Sequence, residues 1–559
     1  MATTKLFSIL IFIFLSVNSY AQHQKYWIVF KDKKDFSKKE FPSPSLSPLS
    51  LEKKMKRNIP VDERDYPVSS TYIKKLEENG CNIISVSRWF NAVSITIRDE
   101  QEIEKIKKLH FVKQVTPVKL YHREKTDEKQ IEISKFGFTE NLSDIKCNDG
   151  SRSIFDYGPS LNQIEMLSGT FLHNQGYTGA GIVIAVLDAG FKDVNTLNAF
   201  DSLRNDNRIL GTWDFVTGND SVYEDNGHGT MVLSCMAANL PGQLIGTAPH
   251  ASYWLLRTED ADSEYIQEED FWVMGAEFAD SVGADIINSS LGYTTFDNPA
   301  HNHTYADLNG NTTIITKGAD IAASKGILVI NSAGNSGSSS WLYIGAPADG
   351  DSVLAIGAVD ANSQRATFSS VGPSADGRVK PNVMAQGQFT VVSSLSGGIQ
   401  LANGTSFSAP VLSGLAACLW QSKQNAHNMD IFKSIEKSAH QYNNPDSLMG
   451  YGIPNFQLAY QFLYVQNPGD LSKDQVRNIY PNPFKNYPVI ELFSRYEQPI
   501  EIEVFDMQGK NVFKQNIYFK ANGFCKHRLQ EMEALSSGQY FIKVNSNSLR
   551  DTFKVVKID

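Results

Sequence analysis

Three short segments of this 559-residue chain carry side chains suited to acyl transfer. Val183-Ile184-Ala185-Val186-Leu187-Asp188-Ala189-Gly190 reads as a buried strand ending in a carboxylate at the edge of a parallel sheet. Asn226-Gly227-His228-Gly229-Thr230 opens a helix with a histidine. Gly404-Thr405-Ser406-Phe407-Ser408-Ala409-Pro410 sets a serine at the start of a long apolar helix reaching about Trp420. Each alone has a plain structural reading, because Asp after a strand caps a helix, a Gly-flanked His makes a turn, and Ser is a favoured residue at a helix start. In the order Asp…His…Ser they supply a complete set of roles. A hydroxyl attacks a carbonyl, an imidazole takes its proton, and a carboxylate fixes the imidazole's tautomer and stabilises its cation. The helix start adds backbone N–H groups and positive dipole where an oxyanion forms.

Such residues need a scaffold, and the pattern from about Tyr157 predicts one. Strand-length apolar runs at Ile182 to Leu187, Ser252 to Leu256, Ile286 to Asn288 and Ile327 to Asn331 alternate with helical segments. That alternation specifies an α/β unit, a parallel sheet covered by helices on both faces. Upstream, residues 22–135 are Lys-rich and read as a small α+β unit. Its strands are Tyr26 to Phe30, Ile83 to Val86, Ala92 to Ile97 and Val112 to Val115, with helices around Tyr72 to Leu76 and Ile103 to Leu109. Lys125 to Ser153 has no readable period and is expected to be an exposed linker. Beyond Tyr464 the helices stop. Short strands at Ile490 to Leu492, Ile500 to Val504 and Tyr540 to Val544, with turns such as Met507-Gln508-Gly509-Lys510, read as a small β-sandwich. Length alone calls for two or three folded units. No internal repeat or low-complexity tract interrupts them.

Composition bounds the function classes. With 41% hydrophobic and 20% charged residues the chain is globular. Net charge is −9, divided as about +5 in residues 22–150, about −17 in 151–462 and about +2 in the remainder. A middle region that acidic argues against nucleic acid as a partner. Five cysteines are too few for a disulfide scaffold, and the odd number leaves at least one unpaired within the chain. Lys5, the apolar run Leu6 to Val17 and the ending Asn18-Ser19-Tyr20-Ala21 form a secretory signal peptide with cleavage expected after Ala21. The run is short of the roughly 20 residues that span a bilayer, and no later segment is longer. The expected product is secreted or surface-attached.

The motifs around Asp188, His228 and Ser406 resemble the subtilisin-like (S8, subtilase) family over roughly residues 157–462, and Asp…His…Ser is subtilisin's chain order. The resemblance implies a doubly wound, mostly parallel sheet and a serine endopeptidase with Asp188, His228 and Ser406 as its triad. It matches Ser332-Ala333-Gly334-Asn335 to the segment whose Asn donates into the oxyanion hole. Ser290-Leu291-Gly292 resembles the strand that pairs with substrate, and Gly345-Ala346-Pro347 the base of the S1 pocket, where small residues leave room for a large apolar side chain. The family usually has Ser or Thr after the catalytic Asp, and Ala189 stands there instead. Residues 22–150 resemble a subtilase propeptide, a folding aid and inhibitor of the cleft. Tyr480-Pro481-Asn482-Pro483-Phe484, Gly509-Lys510, Ser537-Gly538-Gln539-Tyr540 and the basic end at Lys554 and Lys557 resemble the C-terminal sorting domain of the type IX secretion system. The expected division is signal peptide 1–21, propeptide with linker 22–150, peptidase domain 151–462 and sorting domain 471–559. The partners implied are peptide substrates, the chain's own propeptide and the secretion machinery.

Other constellations offer less. His301-x-His303 lies in a polar loop without Cys or a carboxylate cluster. Asp307-Leu308-Asn309-Gly310-Asn311-Thr312 has oxygen-ligand spacing but lacks the distal Glu of an EF-hand. The chemistry requires no cofactor, and a structural calcium ion is compatible with the acidic middle region. Cys235 and Cys418, each on a helix that follows a catalytic candidate, read as buried thiols rather than a disulfide. No G-x-S-x-G or H-E-x-x-H motif is present. The competing reading, from another class, is a surface adhesion or binding protein on a decayed protease scaffold.

Overall fold

A computed structural model describes residues 24–33, 44–97, 100–118, 138–140, 153–224, 226–464, 474–494, 496–519 and 523–558. The signal peptide read at residues 1–21 and most of the linker lie outside the described residues.

The N-terminal unit is the α+β fold expected. Strands β1 (Gln24–Phe30), β2 (Asn82–Ser87), β3 (Ala92–Ile97) and β4 (Val112–Val118) form a sheet in the order β2-β3-β1-β4. Helices Ser70–Glu78 and Glu100–Lys107 pack on it, burying Tyr72, Leu76, Ile103 and Ile106 with Ile28, Phe30, Val93 and Ile95 in a core of its own. A further helix, Pro48–Lys56, was not among the predicted elements. Ser47 caps it by accepting from the Ser50 N–H, and Pro48 stands at its first position, where a missing N–H is harmless.

The linker is not wholly structureless. Phe138–Glu140 forms a three-residue strand, β5, and so corrects the reading of Lys125 to Ser153 as an exposed linker throughout. Its alternation is too short to register in sequence, and its pairing comes from a distant strand.

The middle unit is built on seven parallel strands. These are β6 (Val183–Asp188), β7 (Ile209–Asp214), β10 (Ser252–Arg257), β11 (Ile286–Ser289), β12 (Leu328–Ser332), β13 (Val353–Val359) and β14 (Val383–Gln386), in the order β14-β13-β12-β11-β6-β10-β7. A short antiparallel pair, β8 (Asn239–Leu240) and β9 (Leu244–Ile245), lies between β7 and β10 in the chain. Strand alternation divides the core. Ile184 and Val186 face the helices His228–Ala237 and Thr405–Ser422, while Val183, Ala185 and Leu187 face Gln267–Val282 and Ile314–Ser324. Both faces are covered, so the strands read as continuous apolar runs. Asp188 closes a central strand, not an edge strand, and the edge it occupies is the carboxyl edge of the sheet. A hairpin, β15 (Thr390–Ser393) and β16 (Ile399–Asn403), precedes the Thr405 helix, and β5 adds to it in the order β15-β16-β5.

The tail is a two-sheet β unit. One sheet has the order β17 (Gln475–Tyr480), β18 (Val489–Ser494), β21 (Gly523–Arg528). The other runs β20 (Asn511–Phe519), β19 (Gln498–Phe505), β22 (Gly538–Asn545), β23 (Arg550–Lys557). Ile490 and Leu492 meet Ile500, Ile502, Ile542 and Val544 between them. Among the described residues no helix is long and apolar enough to cross a membrane.

Candidate active site

The site lies at the carboxyl ends of the central strands, where open α/β sheets place their clefts. Asp188 is the last residue of β6 and fully buried. Its Oδ1 accepts from the Ala189 N–H at 2.8 Å and from His228 Nδ1 at 2.7 Å. That second bond fixes the imidazole tautomer with its proton on Nδ1. His228 is the first residue of its helix, and its own N–H donates to Asn226 Oδ1 at 2.7 Å. Gly229 is required for this approach, because a Cβ there would stand 2.4 Å from the Gly190 carbonyl oxygen and 3.0 Å from Asp188 Cβ. Behind the carboxylate, Arg257 Nε donates to the Ala189 carbonyl and Nη1 to Asp214 Oδ2.

Ser406 stands in the first turn of the Thr405–Ser422 helix. The next residue, Phe407, has its ring centroid 5.9 Å from that of His228, so the helix start lies beside the imidazole. Ser406 Oγ donates to the Ser290 carbonyl at 3.4 Å, and Ser290 Oγ donates to the Ser406 carbonyl at 2.9 Å. The predicted substrate strand and nucleophile are therefore laced together. Leu291 is buried and Gly292 exposed. Tyr293 and Ala346 exchange backbone bonds of 2.8 and 3.1 Å, which holds Gly345 against the Gly292 segment. A Cβ on Gly345 would come within 3.2 Å of Thr294 Cγ2, so a larger residue there would fill the space.

Asn335 follows β12 and is half-buried. Its Oδ1 accepts from the Thr405 N–H at 2.8 Å and from Thr405 Oγ1 at 3.0 Å, and Thr405 Oγ1 in turn accepts from the Gly334 N–H at 3.1 Å. The amide oxygen is thus committed, and the NH2 is the end left to donate to a ligand. Thr405 escaped the sequence reading as a functional residue. The Gly-Thr-Ser motif placed it at a helix start but gave no sign of its hold on Asn335, which lies 70 residues away in the chain.

The remaining candidates take ordinary roles. Asp307 Oδ2 accepts from the Thr304 N–H and hydroxyl, capping a short 3-10 turn, and Asn309 Oδ1 accepts from the Asn311 N–H. His303 Nε2 lies 2.5 Å from Glu269 Oε1. Cys235 and Cys418 are free, buried thiols, and Cys418 Sγ contacts the Thr247 carbonyl at 3.2 Å. An oxygen-only group was missed: Glu259, Glu264 and Glu268 bring one carboxylate oxygen each within 4.8 Å of one another, a donor set that suits a hard cation such as calcium.

The N-terminal unit docks on the helix Gln267–Val282. Asp270, Glu277 and Asp280 share one face of it, at spacings of seven and three residues. Lys25 Nζ meets Asp270 at 2.6 Å, Lys54 Nζ meets Asp280 at 2.7 Å, and Arg88 Nη2 meets Asp280 at 2.8 Å. Glu277 accepts from the Ser87 hydroxyl and the Arg88 and Trp89 N–H groups. Arg57 pairs with Asp285 at 2.7 Å, and Lys325 reaches back to Asp65 at 2.8 Å.

Comparison with known proteins agrees with these three units. Residues 179–452 match the subtilase family, 25–132 the peptidase S8 propeptide domain of Bacteroidota, and 478–558 a secretion system C-terminal sorting domain. The chain is 35% identical over 302 residues to Subtilisin NAT of Bacillus subtilis subsp. natto, covering 53% of this chain and 70% of that protein. It is 34% identical to Subtilisin of Bacillus pumilus, covering 53% of this chain and 98% of that protein, and 31% identical to M-protease of Shouchella clausii, covering 51% and 66%.

Proposed function

The chain belongs to the subtilase family, a subtilisin-like serine protease with a propeptide and a secretion sorting domain, and from that premise we propose that Asp188, His228 and Ser406 hydrolyse peptide bonds as its triad. The observation that carries the assignment is the 2.7 Å bond from His228 Nδ1 to Asp188 Oδ1 beside a helix that begins at Thr405-Ser406. Ser406 Oγ attacks the peptide carbonyl carbon while His228 takes its proton. Asp188 holds the imidazole and stabilises its cation. The Asn335 NH2 and the helix-start N–H groups receive the oxyanion. His228 then protonates the leaving amine, and water hydrolyses the acyl-enzyme.

Ser290 to Gly292 pair with the substrate main chain, and Gly345 forms the base of a pocket for a large apolar side chain. Residues 1–21 direct export, 22–150 form propeptide and linker, 151–462 the peptidase domain and 471–559 the sorting domain. No cofactor enters the chemistry, and the Glu259, Glu264 and Glu268 oxygens suit a structural calcium ion. The propeptide inhibits the cleft until cut, and the tail engages the type IX machinery. The decayed-scaffold reading is tested by a fluorophosphonate probe on the processed protein. An adduct on Ser406 is expected, and a folded protein that takes none overturns the enzyme reading.

A further inference from the structure

A buried ammonium closes the loop between Gly345 and β13. Lys380 is 1% exposed. Its Nζ donates to the Gly350 carbonyl at 2.7 Å, the Val353 carbonyl at 2.8 Å and Asn382 Oδ1 at 3.0 Å. An ammonium has three N–H bonds and no lone pair, so each proton here meets one acceptor. All three acceptors are neutral oxygens. Asp349, Glu436 and Asp320 attract the charge from further off, and Arg378 opposes it. Burial pushes the Lys380 pKa from 10.5 down to about 8, which leaves the group charged at neutral pH.

Burying a charge is costly unless it is fully bonded, so the arrangement calls for a reason. Carbonyl and amide oxygens converging on one point are what proteins use in place of an ion's hydration shell. Here the cation at that point is attached to the chain. A Cβ on Gly350 would stand 2.6 Å from Val353 Cγ2, so glycine lets the two carbonyls converge.

The oxygens belong to the loop that carries Gly345. The Ala348 N–H donates to the Gly345 carbonyl and the Gly350 N–H to the Pro347 carbonyl, both at 2.9 Å. Two successive turns therefore run from Gly345 to Gly350, and Val353 opens β13. Asn382 Oδ1 also accepts from the Ala355 N–H at 2.8 Å, and its Nδ2 donates to Glu436 Oε1 at 2.8 Å. Elsewhere in the loop, Asp349 accepts from the Gly310 N–H at 2.8 Å and the Thr316 hydroxyl at 2.6 Å, and the Ser352 N–H donates to Asp320 at 3.0 Å. Those bonds act on Asp349 and Ser352, whereas the ammonium ties Gly350 to Val353.

We propose that the Gly350 and Val353 carbonyls and the Asn382 amide oxygen form a monovalent-cation site filled by the chain's own Lys380, and that this tethered cation is a positioning residue for the substrate pocket at Gly345. The pocket role rests on the reading of Gly345 as the base of that pocket. A loose ion would leave as its concentration fell, and the loop would slacken with it. A cation on the chain holds the loop whatever salt surrounds the protein. Shortening the side chain to Ala leaves the oxygens converged on a space that a potassium or ammonium ion fits.

The test uses protein processed from the full-length precursor, assayed on a peptide with a large apolar residue before the scissile bond. Ionic strength is held constant while tetramethylammonium, too bulky for three converging oxygens, is exchanged for potassium or ammonium. In tetramethylammonium, Lys380→Ala is expected to raise KM about tenfold or more with kcat within about threefold. Potassium or ammonium should return KM to within about threefold of the unaltered protein and raise the melting midpoint. Lys380→Met, whose thioether fills the space, should show the same loss and no recovery, and the unaltered protein should ignore the exchange. Fluorophosphonate labelling of each protein keeps the protease reading separate. A labelled Lys380→Ala that ignores the exchange overturns the cation site. One that folds in neither salt overturns it too, because an ion of like charge then fails to replace the ammonium. A melting midpoint that follows potassium while KM stays fixed overturns the pocket role. If Gly345→Val also leaves KM fixed, the reading of Gly345 as the pocket base falls with it.

Discussion

At the scale of single residues, the site depends on how few degrees of freedom each group keeps. Asn335 is the sharpest case, since Thr405 claims its amide oxygen twice and leaves only its NH2 to act. Asn335→Leu should therefore lower kcat about a hundred- to a thousandfold with KM nearly unchanged, because the donor is needed where charge develops and not in the ground state. Steady-state kinetics on a peptide substrate measure both terms, and a loss confined to KM would reassign Asn335 to substrate binding. Asp188, His228, Ser406 and Asn335 could be named as candidates from sequence because each sits in a short motif whose residue types have few other uses in that order. Thr405 and Gly229 could not. Their roles are to hold another side chain and to permit a 2.4 Å approach, and neither is visible until two distant segments meet.

At the scale of elements, four of the seven parallel strands were read from continuous apolar runs, and β6, β10, β11 and β12 fall within a residue or two of expectation, whereas β7, β13 and β14 were not read. The strand β5 was hidden, since three residues cannot display a period and their pairing belongs to β16. A buried histidine in the short helix Gly169–Asn174 gives the fold a pH dependence. His173 Nε2 donates to the Thr247 carbonyl at 3.0 Å and Nδ1 accepts from the Tyr157 hydroxyl at 2.6 Å, so the neutral ring satisfies both partners. Burial pushes its pKa from the usual 6.5 down to about 4. Between those values the unfolded chain binds the proton and the folded chain does not, so stability falls as pH drops from about 6.5 toward 4. The full shift corresponds to roughly 3 kcal/mol at most. Denaturant melts of His173→Gln and the unaltered catalytic domain across that range should converge at low pH. Parallel curves would remove His173 from the account.

At the scale of the whole molecule, the charge division visible in sequence becomes a mapped contact. The basic N-terminal unit lays Lys25, Lys54 and Arg88 on the acidic face of Gln267–Val282. Composition gave the signs of the two units but could not say which acids face the propeptide, because that depends on helix phase and docking. Opposite potentials mainly speed encounter. Added in trans, residues 22–150 should inhibit the mature enzyme with an on-rate that falls as salt shortens the Debye length from about 10 Å at 0.1 M to about 3 Å at 1 M. Arg88→Ala leaves Asp280 with Lys54 as its cation and takes the guanidinium from beside Glu277 in a buried contact, so it should raise the off-rate and weaken inhibition about tenfold or more. Stopped-flow traces at two salt concentrations decide this, and a flat on-rate would reduce the charges to surface solvation. Because the tail has its own core and every proposed catalytic group lies upstream of it, deletion from Leu471 onward should leave peptidase activity intact while stopping export past the outer membrane. Immunoblots of culture medium and cell fractions test it, and equal secretion of the truncated protein would refute the sorting role.

The central claim is that Ser406 and His228 act as one chemical unit, and a mutant cycle tests it most directly. Precursors carrying Ser406→Ala, His228→Ala or both would be opened in the linker by an unrelated protease at an engineered site, and their kcat compared. The account predicts that each single change lowers kcat by more than about ten-thousandfold and that the double change costs no more than either alone. Losses that multiply, or a single variant that keeps near-full activity, would contradict it.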